Sequence, residues 1–278
     1  VTVAAGGLAM GNIQTEPGDV LYLSLEDRAR RIQARSRKML KGIGCAASPR
    51  LTIAPHWPRQ GQGGLELVEW WMKRVAKPTL VIIDVWGKFR PPGNPKANAY
   101  SQDYEHMTPL KNLSDAYGCC VLALMHCRKG TSEDVVEDVS GTLGIAGSAD
   151  GIIVLTRSRN DSEAQIFITG RDVADTELAL RFDDTSLTWR NLGTVQQNQS
   201  GKLQKAVLEY LKKQQGARFV KDIAEYIHDP KKPTDTQIES VRTVVKRLAN
   251  ENVLRREGSA FSYPCDAIRS ADSDGLDE

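Results

Sequence analysis

Apolar and polar positions follow two different patterns along the chain. In the first two-thirds, short apolar runs alternate with segments that place apolar side chains every three or four positions. The runs predict buried strands and the segments predict amphipathic helices. In chain order they are a strand at Asp19–Leu25, an arginine-rich helix at Arg28–Leu40, a strand at Leu51–Ala54, a helix at Leu65–Val75, a strand at Thr79–Ile83, a helix at Tyr100–Tyr117 and a strand at Cys119–Met125. Strands joined by helices predict a mostly parallel α/β sheet with helices on both faces.

The pattern changes after residue 150. Short strand patterns follow one another there, separated by turn-like segments rather than by helices. They are Gly151–Thr156, Ala164–Thr169, Leu178–Phe182 and Leu187–Trp189. Such a succession predicts an antiparallel extension of the sheet.

The last third predicts a second, smaller domain. Thr194–Lys202 is polar and lacks periodicity, so we interpret residues 194–202 as a linker after a core of residues 1–193. Three helical patterns then lead to a hairpin with its turn at Gly258-Ser259. These patterns are Leu203–Gln214, Val220–His228 and Thr236–Asn252, followed by the hairpin at Val253–Pro264. Three helices and a hairpin predict a winged helix over residues 203–264. Residues 265–278 form an acidic tail that we expect to be disordered.

Composition narrows the class of protein. The chain has 278 residues, of which 40% are hydrophobic and 26% charged, which excludes a mainly disordered chain and a collagen. No apolar stretch reaches the ~18–20 residues of a membrane span. The five cysteines include no CxxC pair, so they predict free thiols in a reducing cytoplasm and no metal site. The net charge of +2 does not by itself indicate nucleic-acid binding, although residues 203–264 carry +4.

Polar residues follow three of the predicted parallel strands. They are Glu26, Asp84 and His126. Sites in open parallel sheets form outside the carboxyl ends of the strands. Asp84 suits water-mediated binding of Mg²⁺ beside phosphates, or simply caps a turn. Glu26 suits activation of a water molecule, unless Glu26 or Asp27 caps the following helix. His126 suits a hydrogen bond to a γ-phosphate, or is an ordinary polar residue at a strand end.

Five stretches, in order, resemble one family. They are LYLSLED (21–27), LVIIDVWGKFRP (80–91), VLALMHCRKG (121–130), VSGTLGIAGSADGIIVL (139–155) and ITGRDVADTELALRFD (168–183). Together they resemble the RepA-like branch of RecA-fold ATPases, relatives of plasmid and phage replicative helicases. The resemblance covers roughly residues 1–190. It implies a RecA-like core, ATP and Mg²⁺ as ligands, DNA as a partner and assembly into hexameric rings.

The resemblance also implies roles for individual residues. Glu26 resembles the catalytic glutamate, Asp84 the Walker B aspartate that holds Mg²⁺, and His126 the sensor of the γ-phosphate. Arg171 resembles the arginine finger that reaches the nucleotide of a neighbouring subunit; the alternative is an ion pair with Asp172 or another acid at the sheet edge. Other candidates for contact with phosphate or nucleic acid are Arg128 and Lys129.

Two features depart from the family. No GxxxxGK[ST] phosphate loop occurs, since Gly6–Gly11 lacks the lysine and Gly201-Lys202-Leu203 lacks the serine or threonine. Val1–Gly7 resembles the end of the helix that follows this loop, so we expect a chain truncated upstream of Val1, or else a degenerate relative. As given, the chain should bind ATP poorly or not at all. The segment Gly130–Ser140 carries four acids and no base, which opposes direct gripping of DNA.

The predicted winged helix offers a second DNA surface. Winged helices often place their third helix in the major groove. The polar candidates on that helix and on the wing are Gln237, Arg242, Lys246, Arg247, Arg255 and Arg256. The alternative is that these are solvated positions on a domain that binds proteins.

The function expected from these patterns is ATP-dependent work on DNA during replication of a plasmid, phage or other mobile element. DNA would be bound as a single strand by a ring of cores or as a duplex by the winged helix. One alternative is a non-hydrolysing DNA-binding regulator with a degenerate ATPase core. Another is an ATP-driven loading or assembly factor that acts through protein partners.

Overall fold

The computed structural model describes residues 1–94, 96–127, 143–159, 161–229 and 232–264. The chain divides into two compact units, with the boundary between Thr194 and Val195. The helices are α1 (Thr2–Ala5), α2 (Ala29–Ile43), α3 (Gly64–Arg74), α4 (Trp86–Phe89), α5 (Ala99–Tyr117), α6 (Leu143–Ser148), α7 (Val195–Lys212), α8 (Val220–His228) and α9 (Asp235–Asn250). The strands are β1 (Leu8–Ala9), β2 (Ile13–Gln14), β3 (Asp19–Ser24), β4 (Leu51–Ala54), β5 (Pro78–Asp84), β6 (Cys120–Leu124), β7 (Gly151–Thr156), β8 (Glu163–Gly170), β9 (Thr176–Asp183), β10 (Thr188–Thr194), β11 (Arg218–Phe219), β12 (Arg255–Glu257) and β13 (Ala260–Ser262).

The centre of the first unit is a parallel sheet with strand order β4-β3-β5-β6. All three pairings are parallel, and the strands are joined by the predicted helices, as the alternating pattern requires. Ser24 lies opposite Asp84 in the register, and Asp84 lies opposite Leu124. The carboxyl ends of β3, β5 and β6 therefore meet at one edge of the sheet.

One face of this sheet carries the core of the unit. Alternate residues of β3 and β5, such as Leu21, Leu23, Val81 and Ile83, are fully buried there. They pack with apolar side chains of α3, α4 and α5, including Val68, Met72, Phe89 and Leu110. The apolar side chains that recur at every second position of the strands thus pack against those on the apolar face of the helix predicted at Leu65–Val75.

Helix ends in this unit follow local sequence chemistry. The Asn98 side chain accepts hydrogen bonds from the Tyr100 and Ser101 amides and begins α5. Gly44 and Gly118 end α2 and α5 in the left-handed conformation, with φ of 65° and 57°, which glycine adopts without a Cβ penalty. Most of the strand and helix bounds predicted for this unit agree with the observed bounds to within a few residues.

The antiparallel strands are arranged differently from the expectation of a continuous extension. They form a sheet of their own, with order β10-β9-β8-β7. Within the described residues no ladder joins β7 to β6, so each of these strands is paired on one side only. Leu122 and Leu124 of β6 and Ile153 and Leu155 of β7 are correspondingly exposed. The alternating pattern predicted the strands, but it carries no information about which edges pair.

The second unit contains three helices and a small antiparallel sheet. The sheet has order β11-β13-β12, and β12 and β13 form the predicted hairpin around Gly258-Ser259. Its core includes Val207, Ile223, Val245, Leu248 and Phe261. The segment interpreted as a linker differs from the expectation, because α7 begins at Val195 and includes residues 195–202. The stretch combines good helix formers with Asn198, Ser200 and Gly201, which have low helix propensity, so it is helical because it continues a helix whose later turns are held by the core.

No helix among the described residues is long and apolar enough to cross a membrane. Four free cysteines are described, of which Cys119 is buried and Cys120 exposed. Burial raises the pKa of the Cys119 thiol to about 11.

Candidate functional site

The sheet edge brings together the three polar residues that follow the parallel strands. Glu26 lies two residues beyond β3, Asp84 ends β5, and His126 lies two residues beyond β6. Glu26 Oε2 and His126 Nε2 are 4.0 Å apart, with side chains that are 47% and 84% exposed. The structure therefore places all three candidates at one edge, and the Glu26–His126 pair is open to a ligand.

Asp84 is held by a residue that the sequence did not indicate. The Tyr22 hydroxyl donates a hydrogen bond of 2.6 Å to Asp84 Oδ2. The pKa of Tyr22 is raised above its usual value, mainly by burial and to a smaller extent by this hydrogen bond. The Leu25 amide also donates to the Asp84 carbonyl at 2.6 Å, which ties the turn carrying Glu26 to the end of β5. The signal for Tyr22 was its two-residue spacing from Ser24, which places both on the face opposite Leu21 and Leu23.

Ser24 adds a second hydroxyl to this face of the sheet. It is 1% exposed, and its Oγ makes no hydrogen bond of standard geometry with a described residue. It is nevertheless close enough to the Tyr22 hydroxyl to act on the pKa of Tyr22, which it lowers against the larger effects that raise it. The two hydroxyls therefore lie together on the face of the sheet that carries Asp84.

Asp27 has a structural role, although not the predicted one. The N-cap of α2 is Arg28, and no side chain caps it. Asp27 instead forms ion pairs with Arg31 and Arg35, at 3.2 and 2.9 Å. Capping by Asp27, and the alternative of capping by Glu26, are therefore wrong, and Glu26 is free of that role.

A buried layer lies directly behind Asp84. Trp86 is 2% exposed and packs on Phe89 with ring centroids 6.1 Å apart. Arg59 Nη1 donates to the Arg90 carbonyl at 2.7 Å. Arg90 in turn pairs with Asp103 of α5 at 3.3 Å. These contacts hold the segment after β5 against α5 and so restrict the position of the Asp84 end.

Arg171 lies just after β8 and forms contacts within its own unit. Its Nη2 donates to the Gly147 carbonyl of α6 at 3.2 Å, and its Nη1 is 3.8 Å from Asp150 Oδ1. The acid partner is thus Asp150 rather than Asp172. Lys111 of α5 also pairs with Asp150, at 2.9 Å. Arg171 remains 62% exposed, and a role toward a neighbouring subunit stays a prediction.

Part of the predicted phosphate-binding set lies outside the described residues. This applies to Arg128, Lys129 and the acidic segment 130–140. Their expected roles stay predictions.

In the second unit, several candidates are engaged in local contacts. Gln237 accepts hydrogen bonds from the Thr234 amide and hydroxyl, so it belongs to the capping box that begins α9. Arg242 pairs with Glu239 one turn earlier, and Arg247 donates to Gln204 of α7 at 2.7 Å. Three further candidates, all exposed, complete the set: Lys246, Arg255 and Arg256.

The residues present fit one half of a nucleotide–metal site. No group of three or more His, Cys, Asp or Glu among the described residues would hold a metal by itself. Mg²⁺ needs fewer protein ligands, since it is usually held by one or two carboxylates together with water and substrate phosphates. The Asp84 carboxylate, fixed at one oxygen by Tyr22, fits that requirement. The phosphate-binding half has no GxxxxGK[ST] segment in this sequence.

Comparison with known proteins supports this interpretation of the fold. The profile of the AAA domain family matches residues 1–132. Among solved structures, one ATPase domain aligns at a TM-score of 0.50 and 16% identity, covering 63% of this chain and 75% of that one. A DnaB-like replicative helicase, solved to show its interactions with primase, aligns at a TM-score of 0.50 and 17% identity. That alignment covers 63% of this chain and 52% of the helicase, so the chain matches about half the helicase's length. None of the curated proteins matches.

The family profile extends over the part of the chain that holds the parallel sheet. The chain has the RecA-like α/β fold of helicase ATPase domains, as the order of its sequence motifs implied. At 16 and 17% identity, the similarity concerns the fold alone. What the chain does must therefore be argued from its own residues.

Proposed function

We propose that this chain contains the ATPase core of a replication helicase-related protein that acts on DNA. The observation that carries the proposal is the meeting of Glu26, Asp84 and His126 at the carboxyl edge of one parallel sheet. A water-activating carboxylate, a metal-binding carboxylate and a phosphate-sensing imidazole are three of the parts that phosphoryl transfer to water uses.

Each residue has a role that suits its surroundings. Glu26 is half exposed and free of capping contacts, so it can orient a water molecule and accept its proton. His126 lies within 4.0 Å of Glu26 and can donate a hydrogen bond to a phosphate oxygen. Asp84 would hold Mg²⁺ through water, and the ion would supply positive charge for the phosphates when bound. Tyr22 fixes the orientation of that carboxylate.

The site is complete only with groups from elsewhere. The sequence has no phosphate-loop lysine, so we expect residues 1–278 alone to bind ATP weakly. Arg171 is exposed at the end of β8, where a neighbouring copy would present its nucleotide. We therefore propose catalysis at subunit interfaces of a ring, with Arg171 exchanging its contacts with Gly147 and Asp150 for the nucleotide of the next subunit. A hexamer in the replication system of a plasmid, phage or mobile element is the assembly that the sequence motifs imply.

The second unit is proposed to be a winged helix that contacts duplex DNA. Its three helices and its sheet order of β11-β13-β12 support this assignment. The exposed cations Lys246 on α9 and Arg255 and Arg256 on the β12–β13 hairpin are the residues that would contact phosphates.

ATP hydrolysis tests the proposal. The natural full-length protein is measured with and without single-stranded DNA, beside a Glu26→Gln variant that keeps the size of the side chain and removes its basicity. We expect DNA to stimulate hydrolysis and the substitution to lower kcat by about 10²–10⁴, the usual contribution of a positioned acid or base. If the folded full-length protein hydrolyses no ATP, the proposed ATPase activity is wrong. The remaining function would then be that of a non-hydrolysing DNA-binding regulator.

A loading or assembly factor is a second candidate, favoured by the surface of α8. Phe219 and Tyr226 are 57% and 56% exposed, an unusual display of aromatic surface. Between them on the same face lies the exposed acid Asp222, which opposes DNA. A protein partner at this surface predicts ATPase activity that is indifferent to DNA and responds to that partner.

A further inference from the structure

Helix α2 and the residue before it are rich in arginine and lysine, and none of these cations belongs to the proposed ATPase site or to the proposed winged-helix contact. Seven of the fourteen residues from Arg28 to Lys41 are arginine or lysine, and no acidic residue occurs between Arg28 and Leu65. The whole chain carries only +2, so all other residues together carry −5. The charge of the first unit is therefore strongly polarised toward one helix.

The helix is fixed along one side. Ile32 is buried, and Ser36, Met39 and Leu40 on the same side are partly buried. Arg31 and Arg35 pair with Asp27, and Lys38 Nζ donates to the Asp184 carbonyl at 2.7 Å. A Cβ at Gly42 would lie 2.2 Å from that of Ser186, so α2 and the β9–β10 turn are in close contact.

The opposite side presents a row of exposed cations. Arg30, Arg37 and Lys41 are spaced seven and four residues apart, which places them on one face of the helix. All three are exposed, and none has an ion pair or side-chain hydrogen bond with a described residue. At a rise of about 1.5 Å per residue, this row extends about 16 Å, or about half a turn of a DNA duplex. We call it the α2 basic row.

We propose that the α2 basic row is a binding surface for the phosphate backbone of nucleic acid, contacted without regard to base sequence. The surface lies in the first unit and is separate from the candidates on α9 and the β12–β13 hairpin. It goes beyond the proposed function, and it holds whether or not the chain hydrolyses ATP.

Two other polyanionic partners fit the row less well. A membrane-bound helix needs an apolar face to insert between lipids, but the apolar side of α2 is turned into the protein. Protein interfaces are enriched in arginine, but also in aromatic residues and methionine, and they are depleted of lysine and of charge at their buried centre. The row has no aromatic member, since α2 contains none. Phosphates spaced along a nucleic-acid strand match a line of cations held on a fixed helix.

The α2 basic row lies close in sequence to the proposed water-activating residue. The helix begins at Ala29, three residues after Glu26, and Asp27 between them is tied to Arg31 and Arg35. Nucleic acid bound along the row would thus lie on the element that directly follows the proposed water-activating residue.

The test uses the full chain and a labelled 20-nucleotide strand, with fluorescence anisotropy at 50, 100 and 200 mM NaCl. The test variant is Arg30→Gln/Arg37→Gln/Lys41→Gln, since glutamine keeps the helix propensity and removes the charge. A matched variant, Lys73→Gln/Lys205→Gln/Lys221→Gln, loses the same charge from three separate exposed sites. Thermal unfolding shows that each variant is folded.

We expect the triple α2 variant to lose at least tenfold in affinity at 50 mM NaCl. Its plot of log affinity against log salt should become shallower by about 2, which corresponds to three phosphate contacts with a single strand. The matched variant should change affinity by less than about threefold, because screened, scattered charges contribute little. Equal losses in the two variants, or no binding by the native chain at 50 mM NaCl, would overturn the proposal.

A third variant, Arg255→Gln/Arg256→Gln, separates this proposal from that of the winged helix. Loss of binding in this variant alone would overturn the α2 basic row and leave the winged-helix contact standing. Loss in the α2 variant alone would support the row and remove the winged-helix contact. Binding of the native chain to poly-glutamate as tight as to DNA would overturn the assignment to nucleic acid.

Discussion

Helices α2 and α9 both carry exposed cations, but they use them differently. α9 buries Val241, Val244, Val245 and Leu248, whereas α2 buries Ile32 alone. The cations of α9 are partly neutralised, since Arg242 pairs with Glu239 and the helix as a whole carries +1. Residues 29–43 of α2 carry +6. Helix α9 is mainly a core element that carries some basic residues. Helix α2 is mainly a charged surface helix with a single buried residue.

Analogy with a winged helix and the local density of charge point to different residues of this protein. An analogy with winged helices selects α9, because that is where such domains often contact DNA. The density of charge selects α2, which has no assigned role in the motifs. The two helices differ in packing, in charge and in capping, and substitutions can measure each difference.

The largest effect concerns packing. Leu248→Ala should lower the free energy of unfolding of the second unit by about 2–5 kcal/mol, because Leu248 is fully buried in its core and truncation leaves a cavity. Ile32→Ala should cost the first unit less, since Ile32 retains 8% exposure and is the single buried residue of α2. Urea unfolding followed by circular dichroism measures both. Equal costs would show that α2 is as much a core element as α9.

The next effect concerns charge. Arg37→Glu should weaken binding of single-stranded DNA about tenfold or more at low salt, because it places a negative charge in the middle of the α2 basic row. Arg247→Glu should weaken it less, since the Arg247 guanidinium already donates to Gln204. Anisotropy at 50 mM NaCl compares the two single variants. A larger loss for Arg247→Glu would reverse the ranking of the two helices.

The smallest effect concerns capping. α9 begins with a capping box, so Thr234→Ala should destabilise the second unit by about 1 kcal/mol. α2 has no side-chain cap at Arg28, so Arg28→Ser should stabilise the first unit by several tenths of a kcal/mol. Thermal unfolding of both variants measures the shifts. A loss of stability in Arg28→Ser would mean that Arg28 stabilises the folded first unit by more than a serine N-cap does.

Much of the first unit was predictable because its strands are short, apolar and bounded by polar residues. The order of strands and helices implied a parallel sheet, and the residues after β3, β5 and β6 were identified as the candidate edge. The contact of Tyr22 with Asp84 was not predicted, because it joins residues 62 positions apart through the register of two strands. The ion pair of Arg171 with Asp150, rather than with its neighbour Asp172, has the same origin.

The helical start of α7 shows a different limit. Residues 195–202 have no apolar periodicity, yet they are helical, since their backbone continues a helix whose later residues Val207, Tyr210 and Leu211 are buried. The separation of the two sheets is a limit of the same kind. A strand pattern indicates which face of a strand is buried, but it does not indicate which of its two edges is paired.

The two-part organisation of the chain, the type of most elements, the acids at the sheet edge and the density of arginine in α2 all follow from the amino-acid sequence alone. These depend on composition and on short-range spacing, which local backbone geometry converts directly into structure. Three features required the folded structure: the 4.0 Å approach of Glu26 to His126, the bond that fixes Asp84, and the partners that hold some of the cations of α2. Those features arise where separate elements pack together, and packing between distant segments is set by the complete fold rather than by any one stretch of residues.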